Sequence, residues 1–296
     1  MALEPHAQPT VLLLGGGYTL QRVATLLPAK TFVITSRSEV TCAAWRAREW
    51  YAHPVSLSDP ASIRDLFSLY PGITTIVDSV PPLREGDPTH GVQNLCKALS
   101  STHVRRLVYL STTGVFGGRD GQVVDEQTPP RPWNAQGQAR WDSELVYQGY
   151  VDAHRETQFV ALRLPAIYGE DRGLVHSIRS GTYRLIDDGS QWTNRIHVDD
   201  LAQVIAACIQ FQGVVPRVLC VSDDVPAQAQ DVVAFVCAAE GVARPQSISS
   251  HEALQRGLYT MLSNQRVVNT CMKSLFGISL RYPSYREGLY AGRRGA

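Results

Sequence analysis

The chain carries a glycine-rich turn whose placement suits phosphate chemistry. Val11-Leu12-Leu13-Leu14 runs into Gly15-Gly16-Gly17-Tyr18-Thr19-Leu20 and then a helical pattern. Between a strand and a helix, such a turn can hold a pyrophosphate. The first glycine bends the chain, the next lets the backbone approach the phosphates, and the helix N-terminus adds partial positive charge. Gly15 and Gly17 occupy the first two positions of a Gly-x-Gly-x-x-Gly pattern, and Leu20 stands at the third. The third glycine normally permits close helix packing, so Leu20 must push the helix outward or be absorbed by a small neighbour such as Ala24. About 20 residues further on, a carboxylate would accept hydrogen bonds from an adenosine ribose. Here the chain reads Thr35-Ser36-Arg37-Ser38 instead. A guanidinium can grip a 2′-phosphate with charge-assisted bonds, whereas a carboxylate would repel it. The expected dinucleotide is therefore NADP, with NAD the less favoured choice.

Proton chemistry is harder to place. The basic residues are almost all arginine, with lysine only at Lys30, Lys97 and Lys273. By type, Tyr168, Tyr183, His176 and His197 are the other groups able to exchange a proton. The six cysteines include no Cys-x-x-Cys and no zinc-like grouping with histidine, so no metal site is expected, and they read as buried, reduced thiols.

Those residues need a scaffold, and composition bounds it. With 28 basic against 27 acidic side chains, 44% hydrophobic and 19% charged residues, the chain is an ordinary globular protein rather than a disordered one. A formal charge of +1 gives no broad basic field, so nucleic acid is not an expected partner and a small molecule is. The longest apolar runs, such as Val11 to Leu14 and Val204 to Ile209, fall short of the roughly 18 residues a membrane span requires. Met1 to Pro9 reads as a short lead-in without signal-peptide character, which makes the cytoplasm the expected location.

Short apolar strand candidates alternate with amphipathic segments. The strands are Val11–Leu14, Thr31–Thr35, Thr74–Asp78, Arg106–Ser111, Gln158–Leu164 and Arg217–Val221. The helices are Tyr18–Leu27, Pro60–Tyr70, Thr89–Ser100, Ala139–Ala153 and Asp199–Gln210. Strict alternation implies a parallel sheet with right-handed crossovers. Residues 171–194 and everything beyond Ser222 read as loops and shorter helices over the sheet's carboxyl edge. His197-Val198-Asp199-Asp200 is expected to open a helix, with an Asp as its cap.

Five segments together resemble the short-chain dehydrogenase/reductase superfamily, in its extended or atypical branch of epimerase/dehydratase-like proteins. They are Gly15-Gly16-Gly17-Tyr18, the run from Leu110 to Gly117, Arg163-Leu164-Pro165-Ala166-Ile167-Tyr168-Gly169, the run from Asn194 to Ala202, and the run from Arg281 to Leu289. The last two are most similar to the YeeZ-like sugar-nucleotide-epimerase group. The resemblance implies an α/β fold, a Rossmann-type doubly wound parallel sheet with a smaller C-terminal substrate lobe. Residues 1–168 and 195–222 would form the dinucleotide domain, and 169–194 with 223–296 the lobe.

By the same resemblance, Thr112 presents a hydroxyl to a substrate oxygen, while Ser111, Ser79-Val80-Pro81 and Pro165 line the cofactor. Gly15, Gly17, Tyr18, Thr19, Leu20, Ser36 and Arg37 complete the cofactor set. Tyr168 lies on the nicotinamide side, and Arg195, His197 and Arg266 border the substrate. The family's Tyr-x-x-x-Lys pair is absent, because Leu26, Gln93 and Asn269 stand four residues before the lysines. The best alignment sets Gln136 on the tyrosine and Arg140 on the lysine. Arg140 can still hydrogen-bond ribose hydroxyls, but an amide at Gln136 exchanges no proton in the useful range. Losing a positioned acid/base costs on the order of 10² to 10⁴ in rate. The expectation is an NADP-binding oxidoreductase or epimerase/dehydratase-like enzyme of a small, nucleotide-sugar or phosphorylated substrate. The alternative is a non-catalytic NADP-binding regulatory or scaffold protein. A homodimer is implied by the resemblance alone.

Overall fold

The computed structural model describes residues 8–118, 120–170 and 172–290, so most of the expected lead-in lies outside the described residues. The first part alternates as expected: β1 (Val11–Leu14), α1 (Tyr18–Ala24), β2 (Phe32–Ser36), α2 (Glu39–Arg46), β3 (Tyr51–Pro54), α3 (Pro60–Leu69), β4 (Thr75–Asp78), α4 (His90–Leu99) and β5 (Arg106–Thr112). A long helix, α5 (Ala135–Ala153), follows. The strands enter a seven-stranded sheet whose order is Val218–Cys220, Gln158–Leu164, β5, β4, β1, β2, β3. β1 pairs in parallel with both β2 and β4, so the strand order reverses at β1. Such a switch point places the ligand crevice at the carboxyl ends of the neighbouring strands. The chain thus has the doubly wound Rossmann-type sheet.

The sequence explains this layering. All four residues of β1 are buried, as a strand covered on both faces requires. On α4, Val92, Leu95, Cys96 and Leu99 follow helical spacing and pack with Ile63 and Leu66 of α3 on Leu12, Ile76 and Leu107. Each such aliphatic side chain contributes about 1.5–3 kcal/mol on burial. Pro60 at the start of α3, with Asp59 accepting from the Ala61 amide, fixes where that helix begins.

Within this first part, two elements go beyond the expected set, α2 and the edge strand β3. Beyond Ser222, Ala229–Glu240 is a full helix of 12 residues rather than a short one. Four of the six cysteines are buried, but Cys237 and Cys271 are partly exposed, which corrects the expectation for those two. Among the described residues, no helix is long and apolar enough to cross a membrane.

The chain divides into two compact units. One holds the residues up to Ser111, Ala139–Leu162 and Ala202–Val218; the other holds Thr112–Gln138, Arg163–Leu201 and the residues from Leu219 onward. Within the second unit, Ala166–Tyr168 pairs in parallel with Arg195–His197, and Gln122–Val124 with Gln265–Val267.

Candidate functional site

In the first unit, the glycine turn divides its duties differently from the expected pattern. Gly15 has a φ of +83°, a left-handed conformation that a side chain would strain. Its amide donates to Thr35 Oγ1 at 3.0 Å, and the Gly16 amide donates to Thr35 O at 2.7 Å. A Cβ on Gly16 would lie 2.4 Å from Trp45 and 2.7 Å from Ile34. Gly16 therefore makes room for Trp45 of α2 and Ile34 of β2, and Leu20 and Ala24 on α1 are both buried. A Cβ on Gly17 would meet nothing nearer than Gly15 O at 4.0 Å, and no side chain caps α1. That open space in front of an uncapped helix start fits a dinucleotide phosphate.

The turn after β4 walls this loop. Ser79 Oγ donates to Gly15 O at 2.6 Å, and Val80 packs where a Gly15 side chain would project. After β2, Ser36 Oγ accepts from the Ser38 amide, and Ser38 Oγ caps α2 by accepting from the Thr41 amide. Arg37 is exposed. The next carboxylate, Glu39, is taken by Arg46.

One face of α5 reaches the ends of β4 and β5. Arg140 Nη1 donates to Leu110 O at 3.0 Å and to the Tyr109 hydroxyl at 3.1 Å, and lies 3.5 Å from Val80 O. Ser111 Oγ donates to the buried carboxylate of Glu144. Tyr147 donates to Asp78, whose other oxygen accepts from the Val80 amide at 2.8 Å. Burial raises the Asp78 carboxyl to about 6.

The second unit contains a cavity of about 460 Å³. It brings together Thr112, Gln136, Pro165, Tyr168 and Arg195 from the sequence reading, with Gln265 beside them. Thr112 Oγ1 accepts from the Gly114 amide at 3.1 Å, which anchors the hydroxyl in a tight turn and leaves its O–H to donate. A Cβ on Gly137 would lie 2.8 Å from Gly114 O, so glycine lets the start of α5 abut that turn. None of the described residues lining the cavity is Asp, Glu, His, Lys or Cys. The phenols of Tyr168 and Tyr183 are both pushed up by burial and stay protonated at neutral pH.

His197 and Arg266 do not line the cavity. The His197 ring lies 5.2 Å edge-on from Tyr168 and 4.0 Å from Tyr282, and Nδ1 accepts from the Asp199 amide. Asp200 does not cap that helix as expected. It accepts from the Arg281 and Tyr282 amides, and His197 takes the end of the helix instead. Arg266 Nε donates to Gly121 O at 2.8 Å with its guanidinium over Trp192.

Arg195 donates from Nη2 to Thr193 Oγ1 at 2.7 Å, while its buried Nη1 has no hydrogen-bond partner. Near it lies Asp223, which the sequence reading missed. Its carboxylate is buried, and that burial raises its pKa strongly. Its position directly after the Val218–Cys220 strand and Val221-Ser222 was the available signal. Among the described residues, no group of three or more His, Cys, Asp or Glu is placed to hold a metal ion.

Known proteins share this architecture. A conserved protein of unknown function from Silicibacter pomeroyi DSS is 31% identical, with 96% of this chain and 97% of that one covered at a TM-score of 0.73. The dTDP-glucose 4,6-dehydratase of Bacillus anthracis in complex with NAD superposes at a TM-score of 0.77 with 16% identity, covering 96% and 94% of the two chains. The UDP-glucuronic acid 4-epimerase of Bacillus cereus, also with NAD, gives 0.74 with 14% identity over 95% and 96%. In sequence, the N-acetyl-alpha-D-glucosaminyl-diphospho-ditrans,octacis-undecaprenol 4-epimerase of Escherichia coli O157:H7 is 26% identical over 121 residues. That match covers 39% of this chain and spans just over a third, 36%, of the relative's length. The model of the NAD dependent epimerase/dehydratase family matches residues 11–221, from the first residue of β1 to the residue after the last sheet strand, and the chain belongs to that family.

Proposed function

We propose that the chain is an NADP-dependent, epimerase- or dehydratase-like oxidoreductase that acts on a sugar carried by a diphosphate. The observation that carries this reading is the single cavity wall shared by Thr112, Gln136 and Arg195. Each similar protein named above for an activity is named for such a diphosphate-linked sugar. The dinucleotide, when bound, supplies hydride transfer. Gly15, Gly17 and the Ser79 turn hold its phosphates, and the exposed Arg37, with no carboxylate competing beside it, takes the 2′-phosphate.

In the cavity the Thr112 hydroxyl donates to the substrate oxygen that gains charge. Arg195 Nη1, buried and unpartnered, takes an anionic oxygen of the substrate. Gln136 orients a hydroxyl but moves no proton. The proton passes through Tyr168, Tyr183 or water, so turnover is about 10² to 10⁴ below that of an enzyme with a positioned acid/base.

A second reading, a dinucleotide-binding protein without turnover, rests on Gln136 and on the engagement of Arg140 with the sheet. Conversion of UDP-glucose to another sugar nucleotide in the presence of the dinucleotide, followed by chromatography, separates the two. Conversion by the unmodified protein, lost at least 100-fold in Thr112→Ala, supports the enzyme; no conversion by either supports the binder. For the cofactor, NADPH is expected to raise the melting temperature more than NADH, and Arg37→Glu to reverse that order. Equal shifts from both dinucleotides in the unmodified protein refute the role given to Arg37.

A further inference from the structure

We propose that Gln265 is the residue that reads the sugar, its side-chain oxygen accepting a hydrogen bond from a hydroxyl or amide N–H on the substrate ring. This inference rests on the substrate class given above. Gln265 is fully buried, and it lines the same cavity as Thr112 and Arg195. Its Nε2 donates to Thr113 O at 3.0 Å. A carbonyl can only accept, so this bond fixes which way the amide points and turns Oε1 away from Thr113. Oε1 is buried with no partner. A buried acceptor left unmade is costly, and a ligand donor that completes it recovers that cost.

The backbone around Gln265 gives the side chain little freedom to find another partner. Its strand pairs in parallel with Gln122–Val124. On the same stretch, the Asn194 amide donates from Nδ2 to Gln265 O at 2.8 Å and accepts at Oδ1 from the Val267 amide at 2.9 Å. Asn194 is thus locked to the Gln265 strand by both ends of its amide, and its chain neighbour is Arg195. Two open positions, an acceptor at Gln265 and a donor at Arg195, therefore stand in a fixed relation within one cavity. An anionic oxygen is repelled by the Gln265 oxygen and drawn to the guanidinium. The ligand that satisfies both carries its charge at one end and a neutral donor at the other, as a sugar diphosphate does.

The test measures affinity by calorimetry on the full chain saturated with NADPH, using UDP, UDP-glucose and UDP-N-acetylglucosamine as probes. The unmodified protein is expected to bind at least one sugar-bearing probe about tenfold or more tighter than UDP. The preferred sugar tells a hydroxyl donor from an amide donor. Gln265→Met, similar in length but unable to accept, is expected to lose that advantage and keep its affinity for UDP. Because the variant also loses the bond to Thr113, a second measurement leaves the protein unchanged. Monodeoxyfluoro UDP-glucoses remove one donor at a time, and one of them is expected to bind about tenfold more weakly than its parent. If sugar nucleotides bind but neither Gln265→Met nor any fluoro analogue lowers affinity, the inference falls and the substrate class stands. If none of the three probes binds the unmodified protein, the substrate class falls and the inference with it.

Discussion

The phenol of Tyr147 donates a 2.6 Å hydrogen bond to the carboxylate of Asp78, with both side chains buried. Tyr147 stands on the same face of α5 as Glu144 and Arg140, at the helical spacing that stacks side chains one above another. The three reach successive parts of the sheet's carboxyl edge: Asp78 at the end of β4, Ser111 on β5, and the Tyr109 hydroxyl with Leu110 O. Arg140, Glu144 and Tyr147 together clamp this face of the helix to the sheet.

The clamp makes stability depend on pH. Asp78 is raised from an ordinary carboxyl value to about 6, chiefly by burial, with its two hydrogen bonds opposing. Between pH 4 and 6 the folded chain holds a proton that the unfolded chain has released, so this group's contribution to stability falls as pH rises through that window. At neutral pH the cost reaches up to about 3 kcal/mol. Asp78→Asn keeps an acceptor for the Val80 amide and removes the charge. Urea unfolding of the variant is expected to lose this component of the slope between pH 4 and 6 and to show higher stability at pH 7.5. A slope identical to that of the unmodified protein contradicts the assignment.

Arg140 gives a second test of the clamp. Arg140→Met leaves Leu110 O and the buried Tyr109 hydroxyl without their charged donor, a loss of about 1.5–3 kcal/mol. Because Val80 also packs on Gly15, NADPH is expected to bind several-fold more weakly. Gln136→Ala, on the same helix but exposed, should stay within about 0.5 kcal/mol of the unmodified protein. Equal stabilities for the two variants in parallel denaturant titrations would falsify the clamp.

What the sequence made legible follows from how each feature is encoded. Six of the seven sheet strands are short apolar runs that need no tertiary information, and the turn at Gly15 declares itself by composition. β3 was hidden because Tyr51-Ala52-His53-Pro54 lacks such a run and pairs only at the sheet's edge. α2 was signalled only by its Ser38 cap. The cavity gathers residues as far apart as Thr112 and Gln265, and the pairing that brings their segments together joins strands more than 100 positions apart, beyond any local periodicity. The engagement of Arg140 was equally invisible, since its acceptors are backbone carbonyls and a tyrosine on other strands.

The two adjacent glycines of the turn separate packing from binding. A methyl group at Gly16 would lie 2.4 Å from Trp45 and 2.7 Å from Ile34, both within a close-packed interior, so Gly16→Ala should cost about 1–3 kcal/mol of stability. At Gly17 the same methyl meets only Gly15 O at 4.0 Å, and the φ of −75° is one that alanine adopts freely. Gly17→Ala is therefore expected to fold with near-normal stability, yet to bind NADPH at least tenfold more weakly, because the methyl fills the space in front of α1. Thermal melts with and without NADPH read both effects at once. A Gly17→Ala protein that still gains full stabilisation from the dinucleotide would show that the phosphates do not approach the backbone at this point.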